Sequence, residues 1–103
     1  MNSRTVMALL RAQGIVLEFA DLGVYAECEL RSEFDPAGPI IRINMRLIDT
    51  MSPERRDPFV THAIAHELFH YFEDRGDVQR VRDRKVREAN AERFAQNLAA
   101  TLR

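Results

Sequence analysis

The sequence has a single cysteine, Cys28, among 103 residues. No internal disulfide is possible, and a disulfide-stapled secreted scaffold is excluded. No apolar run approaches the roughly 20 residues that span a bilayer. The segment from Met1 to Arg11 has a short apolar stretch and no small-residue cleavage pattern. No signal peptide is expected there, and the expected location is cytoplasmic. An excess of one charge is also missing. Fifteen basic and 16 acidic side chains leave a formal net charge of -1. No global field therefore draws the chain to nucleic acid or to an anionic membrane. Internal repeats and low-complexity segments are absent. The length is that of one domain, residues 1–103, with enough chain to bury a core of its own.

The elements follow from turn signals and periodicity. Asn2 or Ser3 can cap a first helix that buries Val6, Met7, Leu9 and Leu10 and ends at Gly14. Residues 14–20 read as a strand. Asp21 to Gly23 reads as a turn, and the alternation of Val24, Ala26, Cys28 and Leu30 reads as a second strand in a hairpin with the first. Cys28 falls on the apolar side and is expected to be a small buried hydrophobe. A loop over Asp35 to Pro39 leads to a third strand, Ile40 to Asn44. Met45 to Met51 can form a short helical turn in which both methionines pack. Ser52-Pro53 and Asp57-Pro58 each offer a helix start, and Gly76 an end. From about Val78 onward there is no glycine or proline, and the pattern is helical. The fold class expected is α+β: a small antiparallel three-stranded sheet packed with helices.

The long central helix carries His66-Glu67-Leu68-Phe69-His70, the pattern His-Glu-x-x-His. Two histidines four apart share one helix face, about 6 Å apart along the axis. Both can reach one Zn²⁺ at about 2.0–2.1 Å. Glu67 is turned about 100° from His66. It cannot point at the same spot, but it can act as general base on a metal-activated water.

A catalytic zinc usually has three protein ligands and a water. His62 shares the face of His66 and His70, but it lies about 12 Å from His70 along the helix. It is expected at the surface or in support of a ligand. A metzincin would need Gly and His where Glu73 and Gly76 stand. In the last helix, Ala91, Phe94, Ala95, Leu98 and Leu102 form an apolar stripe. Glu88 falls about 60° from its centre and Glu92 about 100°. A carboxylate on the rim of a buried stripe needs a partner. Glu88 is therefore taken as the third ligand, and Glu92 as the group that orients a ligand histidine through its other ring nitrogen. The competing assignment leaves both carboxylates in solvent, paired with Arg84, Arg87 or Arg93.

The stretch from Arg55 to Phe72, containing His66-Glu-Leu-Phe-His70, followed by Glu88-Ala-Asn-Ala-Glu-Arg-Phe-Ala, resembles the ImmA/IrrE-type metallopeptidases. Their pattern is His-Glu-x-x-His, then a later helix with Glu-x-x-Ala-(Asn/Asp/Glu)-x-Phe-Ala. Ile40-Ile-Arg-Ile-Asn44 is similar to the strand ending in Asn that often precedes their active-site helix. The likeness spans roughly residues 40 to 100. It implies a minimal zincin-like, gluzincin-like domain and a zinc-dependent endopeptidase that cuts a helix-turn-helix repressor. On that likeness His66, His70 and Glu88 bind zinc, and Glu67 is the catalytic base. Phe69 departs from the family, which commonly has Gly there, and either narrows the cleft or packs into the core. Many relatives also continue where this chain stops at Arg103.

Peptide hydrolysis at such a site needs a further donor to the developing oxyanion; Tyr25, Tyr71 and the arginines are the candidates. The substrate strand is expected along Ile40 to Asn44. Other readings share these residues. One is a zinc-binding structural or regulatory module without protease activity, and another is a different zinc hydrolase such as an amidase. Mn²⁺, Fe²⁺ or Co²⁺ also suit the donor set. Arg80, Arg82, Arg84, Lys85 and Arg87 place five cations in eight residues, a nucleic-acid contact in one reading. The reading preferred over it is a solvated face with i,i+4 pairs such as Glu88–Arg84.

Overall fold

The computed structural model describes residues 3–25 and 28–101, with the backbone alone for 24–25, 28–29 and 101. Asn2, Ala26, Leu102 and the side chains of Tyr25 and Cys28 lie outside the described residues, and so do the roles expected of them. The elements in chain order are α1 (Ser3–Gln13), β1 (Val16–Ala20), β2 (Val24–Tyr25), β3 (Cys28–Glu29), β4 (Ser32–Asp35), β5 (Ile40–Asn44), α2 (Met45–Ile48), α3 (Pro53–Arg75) and α4 (Arg84–Thr101). The architecture is α+β. No helix among the described residues is long and apolar enough to cross a membrane.

The three-stranded sheet has the order β1-β5-β4, and it is mixed rather than antiparallel. β4 and β5 are antiparallel, with Phe34 opposite Ile41. β1 runs parallel to β5, with Val16 opposite Ile40. The expected hairpin of residues 14–20 with 24–30 does not form. β2 and β3 make a separate two-stranded ribbon, and the strand that completes the sheet is β4.

Asn44 gives the physical reason. It ends β5, is fully buried, and satisfies four backbone groups through its side chain. Its Oδ1 accepts from the N–H of Leu22 at 3.2 Å and of Arg46 at 3.1 Å. Its Nδ2 donates to the carbonyls of Leu30 at 2.7 Å and Gly23 at 3.5 Å. The turn after β1 is thus tied to the end of β5, not to a neighbouring strand. The Asn44 N–H donates to the Arg31 carbonyl at 3.1 Å, which steers the chain into β4 on the far side of β5.

One sheet face is apolar. Ile41 and Ile43 lie fully buried against Val6 and Leu10 of α1 and Val60, Ile64 and Leu68 of α3. The alternate position, Arg42, faces the other way and reaches Glu18 at 3.0 Å, Asp35 at 3.1 Å and Glu33 at 3.4 Å across all three strands. α4 packs on α3, so α3 lies between the sheet with α1 on one side and α4 on the other. This explains why α3 is buried almost continuously from Val60 to Phe69.

The helix ends follow local rules. Ser52-Pro53 starts α3, and Pro58 falls within its second turn, where residues 52–58 are all exposed. Gly76, at φ 82°, closes it as a left-handed cap. The Asp77 N–H donates to the Phe72 carbonyl at 3.0 Å, which completes a Schellman motif. α4 begins at Arg84 rather than near Val78. Asp83 Oδ1 accepts from the N–H of Lys85 at 2.9 Å and of Val86 at 3.3 Å, so Asp83 caps the helix. Ala91 and Ala95 of the expected stripe are fully buried. Met45, expected to pack, is 41 % exposed.

Asn44→Ala leaves buried backbone groups without partners, each worth about 1–3 kcal/mol. The expected result in urea denaturation is a lower midpoint with an unchanged m-value. Stability equal to wild type would show that the amide does not hold the sheet.

Candidate metal centre

α3 presents His66 and His70 on one face, and α4 crosses that face with Glu88. His66 Nε2 lies 2.8 Å from Glu88 Oε2, and His70 Nε2 lies 3.2 Å from Glu88 Oε1. One donor atom from each of the three residues lies within 4.8 Å of the others. The Glu88–Arg84 pair expected along α4 is absent, because the carboxylate is drawn to the imidazoles instead.

Each ring is fixed from behind. His66 Nδ1 lies 2.6 Å from Glu92 Oε1, and His70 Nδ1 lies 2.6 Å from Glu73 Oε1. A carboxylate oxygen only accepts, so each Nδ1 is the donor. Nε2 is then the nitrogen left to face Glu88. Carboxylates that orient imidazoles in this way are the usual support of metal-binding histidines. Two imidazole nitrogens and one carboxylate suit a divalent transition metal, so the residues present fit such an ion.

The supporting carboxylates have partners of their own. Glu92 accepts from Arg31 Nη2 at 2.7 Å and lies 2.8 Å from His62 Nε2. Burial pushes its pKa up, but the hydrogen bonds from Arg31, His62 and His66 outweigh this and hold it down to about 2. Glu73 is buried and accepts from Arg87 at 3.2 Å through both oxygens. Burial again pushes upward, and the Arg87 and His70 hydrogen bonds prevail, so Glu73 sits below the ordinary carboxylate range.

Glu67 behaves in the opposite way. It is 6 % exposed, and burial raises its pKa more than the Ser32 hydrogen bond and the nearby histidines lower it. Ser32 Oγ donates to Glu67 Oε2 at 2.6 Å. Two open cavities, of about 410 and 480 Å³, flank the cluster, and Glu67, His70 and Glu88 line both.

His62 lies beside the cluster and supports Glu92, as its distance along the helix requires. Phe69 packs against Phe94 of α4, with ring centroids 5.7 Å apart, and does not line either cavity. Tyr71 is buried on the opposite side. Its hydroxyl donates to the Gln13 carbonyl at 3.4 Å and accepts from Arg75 at 3.0 Å. Sequence reasoning missed Arg31, Ser32 and Glu73 as parts of the site. Glu73 carried a readable signal, since it is three residues from His70 and shares its face. Arg31 and Ser32 carried none without β4. No protein-family model, curated protein or solved structure matches the chain.

Glu92→Ala removes the acceptor behind His66. The expected result is a 10–100-fold weaker zinc affinity by chelator competition. An unchanged affinity would remove Glu92 from that role.

Proposed function

We propose that the chain is a zinc-dependent metalloendopeptidase of the ImmA/IrrE type that works in the cytoplasm and cleaves a regulatory protein, a helix-turn-helix repressor. The observation that carries this reading is the convergence of His66, His70 and Glu88 beside a buried carboxylate, Glu67, with open cavities on both sides. Three protein donors and an open cleft are the pattern of a catalytic zinc; structural zinc sites are closed by four.

In this reading His66, His70 and Glu88 hold the ion. When bound, zinc supplies a Lewis acid and lowers the pKa of a water in its open position. Glu67 takes the proton of the attacking water and returns it to the departing amine. Its raised pKa suits that work, because a more basic carboxylate takes the water proton more readily. Ser32 fixes the Glu67 carboxylate by bonding one oxygen and leaving the other for the water. The peptide adds along β4. β5, the strand expected to receive it, has both edges occupied by β1 and β4. β4 pairs only with β5 among the described residues, and it carries Ser32 next to Glu67.

Two variants test this reading. Metal analysis by mass spectrometry is expected to give one zinc per chain for wild type and a large loss for Glu88→Ala. Glu67→Gln is expected to keep its zinc and lose peptidase activity by about 10²–10⁴-fold. A wild-type protein that takes up no zinc would end the enzyme reading. Zinc retained without any peptidase activity would leave a structural or regulatory zinc module.

A further inference from the structure

The two cavities share four lining residues: Glu67, His70, Arg84 and Glu88. Three belong to the cluster described above, and the fourth is a cation. The other arginines lie to one side or the other. Arg80 and Arg87 border only the smaller cavity, and Arg31 only the larger. Two of them are engaged: Arg31 with Glu92 at 2.7 Å, and Arg87 with Glu73 at 3.2 Å. The Arg84 side chain has no ion pair or hydrogen bond among the described residues. Its helical neighbour at i+4, Glu88, is turned to His66 and His70. The residues common to both cavities therefore include one arginine with an unpartnered side chain, together with Glu67 and the donors His70 and Glu88.

We propose that Arg84 is a catalytic residue that donates N–H hydrogen bonds to the scissile carbonyl oxygen as it becomes negatively charged. The proposal rests on the peptidase reading. In that reaction the water oxygen bonds to the carbonyl carbon, and one water proton passes to Glu67. The carbonyl oxygen takes the displaced electron pair, and the Arg84 guanidinium meets that charge. The C–N bond then breaks as Glu67 gives its proton to the nitrogen, leaving a carboxylic acid and an amine. Arginine suits the task because it stays charged at any working pH and offers several donors in a fixed plane. Tyr71 cannot serve, since its hydroxyl is held by Gln13 and Arg75 away from the cluster.

The test compares wild type, Arg84→Ala and Arg84→Lys, each zinc-loaded, on the best-cleaved member of a fluorogenic peptide library. The affinity of a peptide phosphinate, which mimics the tetrahedral oxyanion, is measured alongside. Arg84→Ala is expected to keep its zinc and its KM, to lose 10²–10³-fold in kcat, and to bind the phosphinate more weakly by a similar factor. Arg84→Lys is expected to recover part of both, and added guanidinium chloride to restore part of the Arg84→Ala rate. An unchanged kcat overturns the proposal. So does a raised KM with kcat retained, which is the mark of ground-state binding, or loss of zinc from Arg84→Ala. If zinc-loaded wild type cleaves nothing and does not bind the phosphinate, the peptidase reading fails first and this proposal falls with it.

Discussion

The ionisable groups buried along α3 set the terms for everything around them. His66, Glu67 and Glu73 are each 5–6 % exposed. Such groups cost several kcal/mol if left unpartnered. Each has its partner on another element: His66 on Glu92 of α4, Glu67 on Ser32 of β4, and Glu73 on Arg87 of α4. Docking β4 and α4 onto α3 and assembling the cluster are therefore one event. An apolar α3 would tolerate sliding of α4 by a turn; these pairs do not, because a shift would strand several charges at once.

The same partners sort the carboxylates by protonation. Glu92 faces a guanidinium and two imidazoles and stays ionised. Glu67 lies deeper, with a serine hydroxyl as its one direct hydrogen-bond donor among the described residues, and its pKa moves up. Two acids joined to neighbouring positions of α3 thus diverge in opposite directions. Such a separation gives one site a fixed anion for support and, in the peptidase reading proposed above, a proton acceptor.

Much of this was legible from local rules, and the rest depended on distant contacts. The His66–His70 spacing and the rim position of Glu88 follow from helical periodicity, which survives packing, so the grouping of these side chains could be read. The Ile40–Asn44 strand was plain from its β-branched residues and the flanking Pro39. The sheet order was not, because it turns on a buried amide at Asn44 that bonds residues 14 to 22 positions away. Local alternation in residues 24–30 reads equally well as a hairpin arm. The start of α4 was misread because helix-forming residues upstream of Asp83 gave no stop signal, while the capping bonds of Asp83 decide the boundary. Arg31 and Ser32 were missed for the same reason as β4: their importance comes from what lies across from them.

Asn44 links the sheet to the cluster through consecutive residues. Its side chain fixes the Leu30 carbonyl, and its own N–H binds the Arg31 carbonyl. The next two side chains along the chain are Arg31, which holds Glu92, and Ser32, which holds Glu67. A single buried amide thus sets the backbone from which two supports of the site project, although it touches neither His66 nor Glu67. The Arg42 network on the opposite sheet face spans the same three strands through partly exposed ion pairs. Such pairs contribute little each, and they reach none of the cluster. The sheet therefore has two polar anchors with different duties. One spans the strands at the surface, and the other places Arg31 and Ser32 beneath α3.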